Sequence, residues 1–255
     1  VITKLLFALL LRPPMAAPDT TLADRIADSA RVAIEVAYAS GRPEAVVEAR
    51  RVAERGSERF PADGLLKHYV GYALFREGLL RTGDSARAVM ERARDALRAA
   101  LEKRPLPETH AVLASVYGNL IPGSVLSMIR YGRASSVESD AAVEAGPGNP
   151  RAWLMKGAGA LYQPALMGGG PEKAEAALRK AIALFATDRP ALALPAWGQA
   201  EAWGFLALAL AKQGKTSEAQ GALAQGLALD ASHAFLLVRV RPVVQAATGA
   251  PARND

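Results

Sequence analysis

Cysteine is absent from this chain, which excludes disulfides and thiolate-held metals. Histidine is scarce: His68, His110 and His233 stand far apart with no i, i+4 pair, so no histidine-rich metal site is written in the sequence. No metal and no cofactor is expected. Beyond the amino terminus there is no uninterrupted apolar run of about 18 residues, so nothing there reads as a membrane span. The compact catalytic signatures are missing too. There is no G-x-S-x-G elbow, no H-E-x-x-H helix and no glycine-rich dinucleotide turn, and an enzyme is not expected.

What is present is a hydrophobic share of 51%, enough for a continuous core and too much for a disordered chain. The net charge of +6 raises the question of nucleic acid. Such a binder concentrates its cations and interleaves them with aromatics. Here arginine and lysine alternate with acids, as in EARRVAERGSER over Glu48 to Arg59, so no nucleic-acid partner is expected. The amino terminus differs from the rest: Lys4, the apolar run Leu5 to Leu11, then Met15-Ala16-Ala17 have the order of a short secretory signal. Residues 1–17 are therefore read as a leader and 18–255 as one domain. Export, to the periplasm of a bacterium, is expected over a cytoplasmic location.

The stretch WGFLALALAKQGKTSEAQGALAQGLALDA, Trp203 to Ala231, sets the ruler for that domain. Trp203, Leu206, Ala207 and Leu210 fall at W-x2-L-G-x2-Y spacing, Gly214 sits at a turn, and Ala219 with Leu223 gives A-x3-F. Two amphipathic helices packed antiparallel need small residues where their backbones come closest, and Ala207, Ala219 and Gly226 stand there. Upstream the pattern recurs with insertions. Ala152, Trp153 and Gly157 pair with Ala174, Leu178 and Ala181 across QPALMGGG, Gln163 to Gly170. His110, Leu113, Ala114 and Tyr117 open another pair, whose connection is read as the long insertion Gly118 to Arg133 with a turn at Pro122-Gly123. A further pair runs from Lys67, Val70, Gly71 and Leu74 to Ala93, Leu97 and Ala100. The first has a helix over about Leu22 to Ser40 and a second helix bearing Ala49, Ala53, Gly56 and Pro61. The apolar connection TDRPALALPAWGQ, Thr187 to Gln199, is expected to pack on the helices, and Phe235 to Val240 to form a terminal capping helix ahead of Pro242.

Over roughly residues 20 to 245 these motifs resemble tetratricopeptide-repeat proteins. The segments YGNLIP, NPRAWLMKGAGALYQPALMGGGPEKAEAALRKAIALF and PAWGQAEAWGFLALAL are similar to a narrower group of exported bacterial members. The resemblance implies an all-α, right-handed superhelical solenoid of about five helical hairpins that holds a protein or peptide in its concave groove. At the groove-facing positions stand His68, Tyr72, Arg76, Ser115, Asn119, Ala158, Tyr162 and Lys212. The full carboxylate-clamp set of the family is missing, which argues against chaperone-tail binding. Tyr72, Arg76, Asn119, Tyr162 and Lys212 are the expected binding residues, aromatics giving contact area and charges orientation. The alternative is a small-molecule-binding accessory of solute transport, with apolar insertions folded over the groove.

Two motifs invite chemistry and fail. Gly214-Lys215-Thr216 ends like a phosphate loop, but the glycine required five residues earlier is Ala209. Met167 to Lys173 places glycines before a helix start, where anions bind, yet Glu172 occupies the first turn, and a loop needing positive φ explains the glycines. The carboxylate pairs Asp24 with Asp28 and Glu172 with Glu175 lie on solvated faces and lack the burial that splits acid from base.

Overall fold

The computed structural model describes residues 21–121 and 125–249. The expected leader and the Pro122-Gly123 turn lie outside the described residues. Helices α1 (Leu22–Ala39) and α2 (Pro43–Arg59), α3 (Gly64–Leu79) and α4 (Gly83–Leu101), α5 (Pro107–Leu120) and α6 (Val125–Ala145), α7 (Pro150–Tyr162) and α8 (Pro171–Phe185), α9 (Gln199–Lys212) and α10 (Thr216–Leu229) pack as consecutive hairpins. A π-helical turn over Phe235–Val240 and α11 (Arg241–Gly249) follow. No helix among the described residues is long and apolar enough to cross a membrane.

Local chemistry sets the helix starts. Thr21 and Asp24 form a reciprocal capping box on α1, Asp63 accepts from the amides of Leu65 and Leu66, and Asn149 accepts from Arg151 N at 2.9 Å. Proline leads α2, α5, α7 and α8, where its missing N–H has no helical partner to lose. The small residues stand at the close approaches as expected. A Cβ on Gly157 would lie 2.6 Å from Leu178 Cγ, and Ala207, Ala174 and Ala181 are inaccessible to solvent.

The structure corrects the sequence in four places. Most of the expected insertion Gly118 to Arg133 is helix, since α5 runs to Leu120 and α6 resumes at Val125. Pro61 stands beyond the end of α2, and Trp203, a motif position expected inside the core, is half-buried and packs against its edge. The terminal cap does not stop before Pro242. The chain continues through it as α11, because the π turn ahead of it loosens the ladder at the point where proline has no N–H to give. Leu236, Val240 and Val244 carry the cap's buried face, Leu236 packing against α9 at Gly204.

The array curves far enough for its ends to meet. The turn after α1 reaches the cap, with Gly41 against Ala234 and the Tyr38 and His233 rings edge to face at 5.9 Å. The connection between α8 and α9 packs inward, burying Ala193 and Trp197 as its composition implied.

Candidate binding cleft

Tyr72 and Arg76, one turn apart on α3 and expected to be open in a groove, are not open to solvent. Both are fully buried. The Arg76 guanidinium forms two parallel hydrogen bonds to Glu201 of α9, at 2.6 and 2.8 Å, and its Nε donates to the Tyr72 hydroxyl at 2.7 Å. Tyr72 in turn donates to Glu35 of α1, whose carboxylate also lies 3.8 Å from Arg76. Aromatic faces close the shell: Arg76 sits 4.0 Å from the Tyr38 ring centroid and 5.4 Å from that of Trp197, and Trp197 stacks on Tyr72 at 5.1 Å. A planar cation with five donors is matched here by two carboxylates and a phenol, which joins three helices distant in sequence.

The electrostatics follow from that packing. Burial opposes the charge on Arg76, but Glu201, Tyr72 and Glu35 outweigh it and hold its pKa well above the usual arginine value. Burial would raise the Glu201 carboxyl, yet the charge and hydrogen bonds of Arg76 keep it below the usual range. Glu35 goes the other way. Burial pushes it up, Arg76 pulls it down, and the negative Glu201 adds to the rise. His68, stacked on Tyr72 at 5.9 Å and 2.9 Å from Thr109 Oγ1 through Nδ1, is pushed down to about 3 by burial.

The α8–α9 connection lies over this knot. Tyr69 donates to the carbonyl of Ala193, a residue with positive φ (69°), and Trp197 covers Tyr72. Gly198 then caps α9 with φ 99°, where a Cβ would stand 2.5 Å from Leu154. Between the connection and α1 remains a wide cleft of about 1040 Å³. Val32 and Val36, successive turns of α1, are 46% and 68% exposed along one wall. Arg31, Arg151 and Arg189 supply cations, and Glu35, Asp188, Glu201 and Asp230 supply anions. Arg151 is committed to Asp188 at 2.7 Å, whereas the Arg189 guanidinium meets backbone carbonyls, of Asp188 at 2.7 Å and Ala186 at 3.5 Å.

The five sequence-predicted site residues do not converge. Asn119 is exposed and donates to its own helix at Ser115 O, 2.8 Å away. Tyr162 and Lys212 do come together, the ammonium 5.3 Å from the ring and 3.3 Å from Leu161 O, at the end of α7. None of the five lines the cleft. The residues that sequence reasoning missed are Glu35, Glu201, Trp197 and Arg189. The readable signal was Glu201 in the first turn of the apolar α9 and Arg76 in the last turn of the apolar α3, since buried opposite charges need each other. The tempting loops are structural. Gly168 and Gly170 adopt positive φ (90° and 115°), and Lys215 is bound to Glu175 at 2.8 Å.

No protein-family model matches the chain, and no curated protein matches it. Solved structures do. The HusA haemophore from Porphyromonas gingivalis superposes with a TM-score of 0.61 at 22% identity, covering 77% of this chain and 96% of that one. A thermophilic TPR protein from Thermus thermophilus gives a TM-score of 0.62 at 21% identity, covering 86% of this chain and 99% of that one. With its consecutive helical hairpins, the chain has the fold of a tetratricopeptide-repeat-like helical solenoid.

Proposed function

We propose that this protein is a non-enzymatic binding scaffold that takes a peptide segment of a partner protein in the cleft between α1 and the α8–α9 connection. The observation that carries the reading is the makeup of that cleft: exposed Val32 and Val36 one turn apart, facing a rim that ends in Arg189. An extended segment would set an apolar side chain against the two valines and a carboxylate against Arg189, whose guanidinium, among the described residues, meets only backbone carbonyls. The charged knot beneath serves to hold the wall. Residues 1–17 belong to this proposal as an export leader, with the periplasm as the destination of the mature domain.

The test is affinity for peptides selected from a phage-displayed random library against the full chain. Val36→Asp with Arg189→Glu should weaken the selected peptides by tenfold or more, about 1.4 kcal/mol. Tyr162→Ala with Lys212→Ala should leave them unchanged. The reverse pattern returns the site to the inner-face positions expected from sequence.

A second reading, a small-molecule carrier, has its own support. Trp197 and His233 line the cleft, and their Nε1 and Nδ1 atoms are buried without a hydrogen-bond partner. The HusA structure is that of a haemophore, a ligand-binding protein by its name. Native mass spectrometry of protein purified from its own host separates the readings, a retained small ligand favouring the carrier and a retained polypeptide the scaffold.

A further inference from the structure

On the side of the molecule that the cleft does not use, α6 presents an unpartnered face. Its exposed positions Leu126, Ile129, Arg130, Arg133 and Val137 follow i, i+3, i+4, i+7, i+11 spacing, a single stripe along the helix. Leu126 is 75% and Ile129 64% exposed, and among the described side chains of this 21-residue helix Ala142 alone is buried. Large aliphatic groups in water at this density mark a contact surface rather than scatter.

The stripe does not end with the helix. α6 runs antiparallel to α5, with His110 against Glu138, Ser135 Oγ donating to Ala114 O and Tyr131 stacked on Tyr117. α7 runs parallel to α5, Ser115 Oγ meeting Met155 Sδ at 3.3 Å. Extending both registers puts the start of α6 and the end of α7 at the same end of the solenoid. There the α7–α8 connection exposes Leu166 completely and Met167 in large part, beside the exposed Tyr162.

Around the stripe and the α7–α8 connection cations outnumber acids. Arg130 and Arg133 are set within the apolar stripe, and the first acid of α6 is Glu138, more than three turns from Leu126. Lys212 stands over Tyr162, and Arg130 over Tyr131 with Cζ 5.6 Å from the centroid. Lys173 is exposed on α8 next to Glu172, the acid nearest the α7–α8 connection. Exposed aliphatic side chains, with tyrosine and cations around them, match the layering of a bilayer interface: hydrocarbon, then aromatic and cationic groups at the anionic headgroups. We infer that this end of the solenoid, the α6 stripe with the α7–α8 connection, docks on an anionic lipid surface. The cleft between α1 and the α8–α9 connection is left free in that arrangement, so the inference stands apart from the peptide reading.

Vesicle co-sedimentation of the full chain tests it, with phosphatidylcholine vesicles containing or lacking phosphatidylglycerol. The expected result is binding to the anionic vesicles only, weakening with salt. Arg130→Glu with Arg133→Glu should lower the affinity at least about fivefold for each cation removed, and Leu126→Asp with Ile129→Asp should abolish it. Circular dichroism checks that both variants fold, and the exposure of all four residues predicts that they do. No binding to anionic vesicles overturns the inference, as does binding that both variants retain. Self-association without vesicle binding, lost in Leu126→Asp with Ile129→Asp, also overturns it and makes the face a contact between copies.

Discussion

Helix α3, the first of its hairpin, and helix α6, the second of its own, have opposite fates. In α3, 13 of 16 residues are buried, among them an arginine, a glutamate and a histidine. In α6, the longest of the described helices at 21 residues, leucine and isoleucine face water. Polarity alone therefore does not sort inside from outside in this molecule. The α3 polar groups are inside because each has a partner, Glu201 and Glu35 for Arg76, Arg50 of α2 and Arg81 for Glu77, and Thr109 of α5 for His68, whereas the α6 aliphatics are outside because, among the described residues, it is α5 and α7 that pack against that helix. A buried arginine without its carboxylate would cost several kcal/mol, so the knot on α3 is tolerated only as a set.

The largest effect should come from dividing that set. Glu201→Leu leaves Arg76 buried with Glu35 alone and should cost about 3–5 kcal/mol in chemical denaturation. Adding Arg76→Met should restore part of the loss, since an apolar pair of similar volume replaces the ions. A loss below about 1 kcal/mol for Glu201→Leu would mean that the knot does not hold α3 to α9.

An intermediate effect is expected from pH. His68 has a folded pKa of about 3 against an ordinary 6.5, so between these values the unfolded chain binds the extra proton. Its stabilising contribution is full above 6.5 and is lost as pH falls through that window. His233, lowered by burial, acts in the same direction, and Glu35, raised by burial, acts against it, its contribution present at low pH and lost as pH rises. Denaturant midpoints across the window should fall with acidification, and His68→Asn should flatten the slope. An equal slope in the variant removes His68 from the account.

The smallest effect belongs to α6. Leu126→Asp with Ile129→Asp should change stability by less than about 0.5 kcal/mol per residue, because neither side chain is buried. A loss of several kcal/mol would place these side chains in a core and bring α6 into line with α3.

The contrast also explains what was legible in the sequence. Hairpins and small residues at close approaches obey local spacing, and Gly157 and Ala207 follow from it. The first turns of α6 were read as a loop because their apolar residues lie on a face with no partner, so the pattern that marks a core helix is missing. The groove-facing spacing makes Tyr72 and Arg76 open binding residues, and nothing local in the sequence announces the cover that buries them. Arg76 meets Glu201 across 125 residues, and the connection that crosses the knot is a loop whose path no periodicity records. The cleft is thus a product of the long-range closure, and its residues carry no motif of their own.

Hydrogen–deuterium exchange of the full chain, free and saturated with a library-selected peptide, tests the cleft most directly. The account predicts slowed exchange in residues 31–40 of α1 and its turn and in 186–198 of the connection, with α5 and the end of α7 unaffected. Protection confined to the surroundings of Asn119, Tyr162 and Lys212, with none in α1 or the connection, would contradict it.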